Sequence, residues 1–184
     1  TPATAQNYRL VVLTSSNCLK LNSEKIEVMF FGTKCSPSHN LWWREDLGLP
    51  PVPTAVVRNL GIKFDSSLSF EPQVKHLSST CLFTLCSLRK VMPFIPVELQ
   101  KPLVHALITS RLDYANSLYL ALPSYLIHHL QINQNAAARL ILNLPCMVSV
   151  LGHLRGLHWL PGKKRIEFKT LVLTFKALNA NGPP

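Results

Sequence analysis

The chain has 184 residues, 47% of them apolar and 15% charged, with a formal net charge of +10. That length suits one domain, or a small domain beside part of another, and lets the chain bury roughly 70% of its unfolded surface. The composition argues against intrinsic disorder, and its apolar share predicts surface that meets a partner or a missing domain.

The charge is unevenly placed: residues 1–71 carry seven basic and six acidic side chains, residues 72–184 twelve and three. A basic C-terminal part fits a polyanionic partner, because each neutralised phosphate releases condensed counterions; it fits a solvated basic face equally well. Cys18, Cys35, Cys81, Cys86 and Cys146 show no CxxC spacing, which predicts reduced, mostly buried thiols and an intracellular setting, nuclear or cytoplasmic. The polar start, Thr1 to Asn7, has no basic n-region of a secretory signal. The most apolar stretches are interrupted by Arg111 and Asp113, or by Lys169 and Lys176, short of the ~20 residues that a membrane span requires. A start without Met and a stop at Asn181-Gly182-Pro183-Pro184 read as a piece of a longer protein.

In chain order, residues 8–19 suit a short helix, and Ile26 to Phe31, closed by Gly32, suits a strand. Residues 33–55, with Pro37, Pro50, Pro51 and Pro53, read as a loop holding at most a short strand near Leu41-Trp42-Trp43. Val56 to Phe64 reads as a second strand with Leu60, Ile62 and Phe64 on a buried face and Gly61 marking a bulge or close approach. Helical texture then begins. Val74, Leu77, Cys81, Leu85 and Leu88 step by three or four residues, with Ser69 as N-cap and Pro72 in the first turn; Pro93 and Pro96 end this helix. A second starts near Val97 or Pro102 and runs to about Leu120, with Pro102 starting or kinking it. Ser124 caps a third, with Leu126, Leu130, Ala137, Ile141 and Leu144 inward. A short helix over 148–155 precedes a last one from Lys163 to Asn179, where Phe168, Leu171, Val172, Phe175 and Leu178 face inward. The fold class is therefore α+β: a small sheet, then a mostly helical bundle.

Catalytic chemistry is not visible in the residues. Two-metal phosphoryl transfer needs converging carboxylates, yet the three aspartates, Asp46, Asp65 and Asp113, are far apart. Glycine-rich phosphate loops, G-x-S-x-G and H-E-x-x-H are missing. Cys35 and His39 have no second pair to complete a zinc site, so no metal ligands are assigned. Binding features remain. Lys163-Lys164-Arg165 follow the turn Trp159-Leu160-Pro161-Gly162 at a helix start, where cations oppose the helix dipole unless a phosphate sits there; an exposed charged turn is the alternative. Arg165, Lys169 and Lys176 share one side of that helix. Arg139 follows Ala136-Ala137-Ala138, small residues that admit a nucleic-acid backbone or a neighbouring helix. Trp42, Trp43 and Trp159 suit either base stacking or a core.

Five blocks resemble the reverse transcriptases of non-LTR retrotransposons (LINE elements) of the jockey-like type. Leu19-Lys20-Leu21-Asn22-Ser23-Glu24-Lys25-Ile26-Glu27-Val28 is similar to L-K-L-N-x-x-K-T-E-V. Val57 to Phe70 is similar to V-x-x-L-G-V-x-x-D-x-x-L-S-F. Leu103 to Leu118, Leu130 to Ile141, and Leu157 to Lys169 with Phe175 to Asn179 complete the set, in the family's order, over about residues 17–184. The resemblance implies the end of a palm over residues 1–70 and a thumb with its extension over 71–184. It makes Lys25 the motif-D lysine that assists pyrophosphate departure, and Leu60-Gly61 the primer-grip hairpin. The catalytic aspartates and their magnesium would lie upstream in the palm, so no catalytic residue and no cofactor is expected here. Ile26, Ala115 and Gly162 depart from the family's usual Thr, Cys and Val, and Pro102 falls at a normally helical position.

The combined expectation is a fragment of an RNA-directed DNA polymerase that binds RNA or an RNA–DNA hybrid through backbone phosphates. Lys25, Gly61, Arg139, Lys163, Lys164, Arg165, Lys169 and Lys176 are the nucleic-acid-binding candidates. The parent enzyme's palm and fingers are further expected partners, and a membrane is not. A decayed, functionless remnant and a helical protein-interaction module are the rival readings.

Overall fold

A computed structural model describes residues 54–179 together with Glu27, Met29 and Phe31. The chain divides into two units, Thr1–Ser69 and Phe70–Pro184. The expected helix over 8–19, the loop over 33–53, Lys25, Cys18, Cys35, His39, Trp42 and Trp43 lie outside the described residues. So does half of the expected strand at 26–31, and the three of its residues that are described belong to no strand.

Among the described residues, the first unit holds an antiparallel hairpin, β1 (Val56–Asn59) and β2 (Ile62–Asp65), in register from Val56 opposite Asp65 to Asn59 opposite Ile62. The single strand expected over Val56–Phe64 is thus broken in two by a Leu60–Gly61 turn. Both turn residues have positive φ, 48° and 83°, the combination whose twist matches paired strands. Gly61 adopts it freely; Leu60 does so as the tip of the turn, 81% exposed rather than on a buried face. Asp65 closes the unit: its carboxylate accepts the Ser69 backbone N–H at 3.0 Å, and its carbonyl accepts that of Leu68 at 2.9 Å.

The second unit begins with α1 (Glu71–Val91), whose buried residues are Gln73, Val74, Leu77, Cys81, Leu85 and Leu88. The apolar stripe is the expected one, but the N-cap is Phe70 in the left-handed region, not Ser69. The rings of Phe70 and Tyr119 meet in a T-shaped pair, centroids 6.2 Å apart at 72°, an arrangement that aromatic quadrupoles favour. A 3₁₀ turn at Met92–Phe94 leads to α2 (Val97–Val104).

Pro102 sits inside α2, where it has no N–H to donate to Glu98 and its ring crowds that carbonyl. A π turn, His105–Thr109, follows at once, with the Ser110 N–H bonded to the His105 carbonyl five residues back. The extra residue in that turn brings Ile108 and Thr109 side by side into the core. The helix resumes as α3 (Ser110–Asp113) and stops there, short of the expected Leu120. Tyr114 is extended, Ala115 has φ 51°, and Asn116–Tyr119 form a 3₁₀ turn that buries Asn116 and Tyr119.

Next comes α4 (Ser124–Leu142), preceded by Pro123 rather than capped by Ser124, and ended by Asn143 at φ 49°. Asparagine tolerates that conformation, and the carbonyl of Arg139 takes the N–H of Leu144 at 3.0 Å. Helices α1 and α4 make the most extensive contact in the unit. Ala137 and Ala138 of α4 are buried, so the alanine run serves the packing of the unit. The Asn133 side chain crosses the contact to Ser78 Oγ at 2.7 Å. Short α5 (Leu151–Gly156) buries Leu154 and leads to Trp159, which is core rather than a stacking surface. The last element is α6 (Gly162–Leu178). Among the described residues, no helix is long and apolar enough to cross a membrane.

Candidate nucleic-acid interface

The start of α6 is held by amide side chains from α4. Gln131 Oε1 accepts the Gly162 N–H at 2.7 Å, and Gln134 Nε2 donates to the Leu160 carbonyl at 2.7 Å. Gln131 Nε2 in turn donates to Asn135 Oδ1 at 2.7 Å. An α-helix leaves its first N–H groups without internal partners, and Gln131 fills that need from a neighbouring helix. Gly162 permits the approach: a Cβ there would stand 3.3 Å from Gln131 Oε1. These amides were not among the sequence candidates. Their signal was present, as the uncharged polar run Gln131-Ile132-Asn133-Gln134-Asn135 inside an otherwise apolar helix.

Five of the eight candidate residues stand on α6: Lys163, Lys164, Arg165, Lys169 and Lys176. Lys163, Lys169 and Lys176 are exposed. Lys164 Nζ lies 2.8 Å from Glu167 Oε2, with the lysine side chain 65% exposed. That hydrogen bond, reinforced by the charges of Lys164 and Lys163, holds the Glu167 carboxyl below its ordinary range. Arg165 is different. Its Nη1 bonds Asp113 Oδ2 at 2.7 Å, and its side chain is only 17% exposed, so its charge is spent on joining α6 to the end of α3.

Arg139 stands apart on α4, half-buried, donating through Nη2 to the Val148 carbonyl at 3.3 Å and so bracing the loop after α4. Gly61 belongs to the hairpin of the other unit, and Lys25 lies outside the described residues. Among the described residues, no three His, Cys, Asp or Glu side chains gather as metal ligands.

The apolar side of α6 corrects one expectation. Ile166 is the only described residue of α6 that is buried. Phe168, Leu171, Phe175 and Leu178, expected inward, are 58%, 68%, 64% and 81% exposed. Phe168, Leu171, Val172 and Phe175 line an open depression of about 650 Å³ with Lys176 at its edge. Their period is that of a packed helix face, but although α6 meets α4 and the 3₁₀ turn at Asn116–Tyr119, it buries only Ile166 among its described residues. The helix therefore presents an apolar stripe and exposed lysines on more than one side, Lys169 and Lys176 together and Lys163 and Lys164 apart from them at its start.

No family model, curated protein or solved structure matches the chain.

Proposed function

We propose that the chain is the palm edge and thumb of a LINE-type reverse transcriptase, and that its helical unit holds RNA or an RNA–DNA hybrid by the backbone phosphates. The observation that carries this reading is the set of four exposed lysines, Lys163, Lys164, Lys169 and Lys176, on one helix whose sole acidic residue is Glu167. The five sequence blocks and the twelve-to-three excess of cations over residues 72–184 support it. Polymerisation is assigned to catalytic aspartates and magnesium of a palm segment upstream of these blocks, and the chain's own part is to position the duplex inside the cell. Titration of an RNA–DNA hybrid across salt concentrations tests the reading. Four engaged phosphates give a log–log slope of about −3 to −4, and affinity that ignores salt contradicts it.

A protein-docking role is the second reading, favoured by the exposed stripe of Phe168, Leu171, Phe175 and Leu178. Apolar contacts persist at high salt while phosphate contacts weaken. A protein partner retained on the chain in high salt, lost when Leu171 and Phe175 become Ser, supports this role; loss of the partner in high salt opposes it.

A further inference from the structure

Of six buried side-chain atoms with no hydrogen-bond partner in the protein among the described residues, three, Asn116 Oδ1, Gln134 Oε1 and Arg165 Nε, belong to residues that lie together. The residues that carry them line a single cavity of about 20 Å³, walled otherwise by Leu112, Leu130, Gly162 and Ile166. We propose that this cavity is a binding site for one water molecule that joins the 3₁₀ turn at Asn116, helix α4 at Gln134 and helix α6 at Arg165.

The chemistry selects the occupant. The amide orientations are fixed from outside the cavity, since Asn116 Nδ2 donates to Asp113 Oδ1 at 3.4 Å and Gln134 Nε2 donates to the Leu160 carbonyl at 2.7 Å. Two acceptors and one donor are left over. A guest must donate twice and accept once, which water does. A metal cation cannot accept from the arginine, and an anion cannot donate to two amide oxygens. A volume near that of one water probe, with three polar partners, is the usual condition for a buried structural water. Left unmade, three such bonds are a combination that folded proteins avoid.

The water has a positional consequence. Arg165 already bonds Asp113 through Nη1, and a water on Nε fixes the other edge of the guanidinium. The first turn of α6, which carries Lys163 and Lys164, is then seated on α3, α4 and the 3₁₀ turn together. That seating does not depend on what the lysines bind.

NMR of the whole chain tests it, through cross-relaxation between the water resonance and the Arg165 Nε–H and Gln134 side-chain amide protons. A long-lived water, with NOE and ROE of opposite sign at both groups, is expected. In Asn116→Leu the signal at Arg165 Nε–H is expected to disappear while the fold's amide spectrum persists. A folded wild-type chain with no water cross-peak at Arg165 Nε–H overturns the site. So does a scalar coupling showing that Nε–H bonds directly to an amide oxygen.

Discussion

At the scale of single residues, Arg165 and Lys164 show why neighbouring cations in one run do different work. Arg165 is largely buried against Asp113, whereas Lys164 pairs with Glu167 at the surface. Removing the buried pair leaves a guanidinium with poor access to water, while exposed pairs contribute little. Asp113→Asn is therefore expected to lower stability by roughly 1–2 kcal/mol in urea denaturation, and Glu167→Gln to move the midpoint far less. Equal effects would mean that Arg165 is not held as described. Cys81 gives a second residue-level test. Burial pushes its thiol up from the ordinary 9.0 to about 11, while Cys86 and Cys146 are exposed. At pH 8, peptide mapping after brief alkylation should find Cys86 and Cys146 modified well before Cys81. Between pH 9 and 11 the unfolded thiol ionises and the folded one does not, so Cys81 makes stability fall as pH rises; Cys81→Ala should flatten that part of the profile.

At the scale of elements, the least comfortable residue is Leu60, in a turn where Asn is preferred. Its exposure means that replacement sacrifices no packing. Leu60→Asn is expected to tighten the hairpin by about 0.5–1 kcal/mol, seen as slower hydrogen exchange at the β1–β2 amides, and faster exchange would argue against the turn. The start of α6 depends on Gln131, so Gln131→Ala should cost about 1 kcal/mol by leaving the Gly162 N–H unpaired, read as a lower thermal midpoint. An unchanged midpoint would show that the bond contributes nothing.

The elements also show what the sequence could and could not tell. The α1 stripe was legible because its period records a helix buried along its whole length. The identical period on α6 misled, because apolar spacing reports which face is apolar and not whether anything covers it. The hairpin was hidden from residue reading, since β1, turn and β2 form one unbroken β-favouring run with Leu where Asn would have marked the turn. The early end of α3 was hidden too: Ala115 carries no helix-stop signal, yet it takes a left-handed φ, with Asn116 and Tyr119 buried beyond it.

At the scale of the whole molecule, the distribution of charge was legible and the engagement of each cation was not. Composition located the basic excess in residues 72–184. Only the fold separates Arg139 and Arg165, which serve the helical unit's own loops and helices, from Lys163, Lys164, Lys169 and Lys176, which remain exposed. The four lysines are the candidate contacts, and the two arginines bond within the helical unit. The most direct measurement compares the salt dependence of RNA–DNA hybrid affinity for the wild type and for a variant with all four lysines changed to Gln, at matched circular dichroism. The account predicts a slope of about −3 to −4 for the wild type and a slope reduced by about three in the variant. A variant that keeps the wild-type slope and affinity would contradict it.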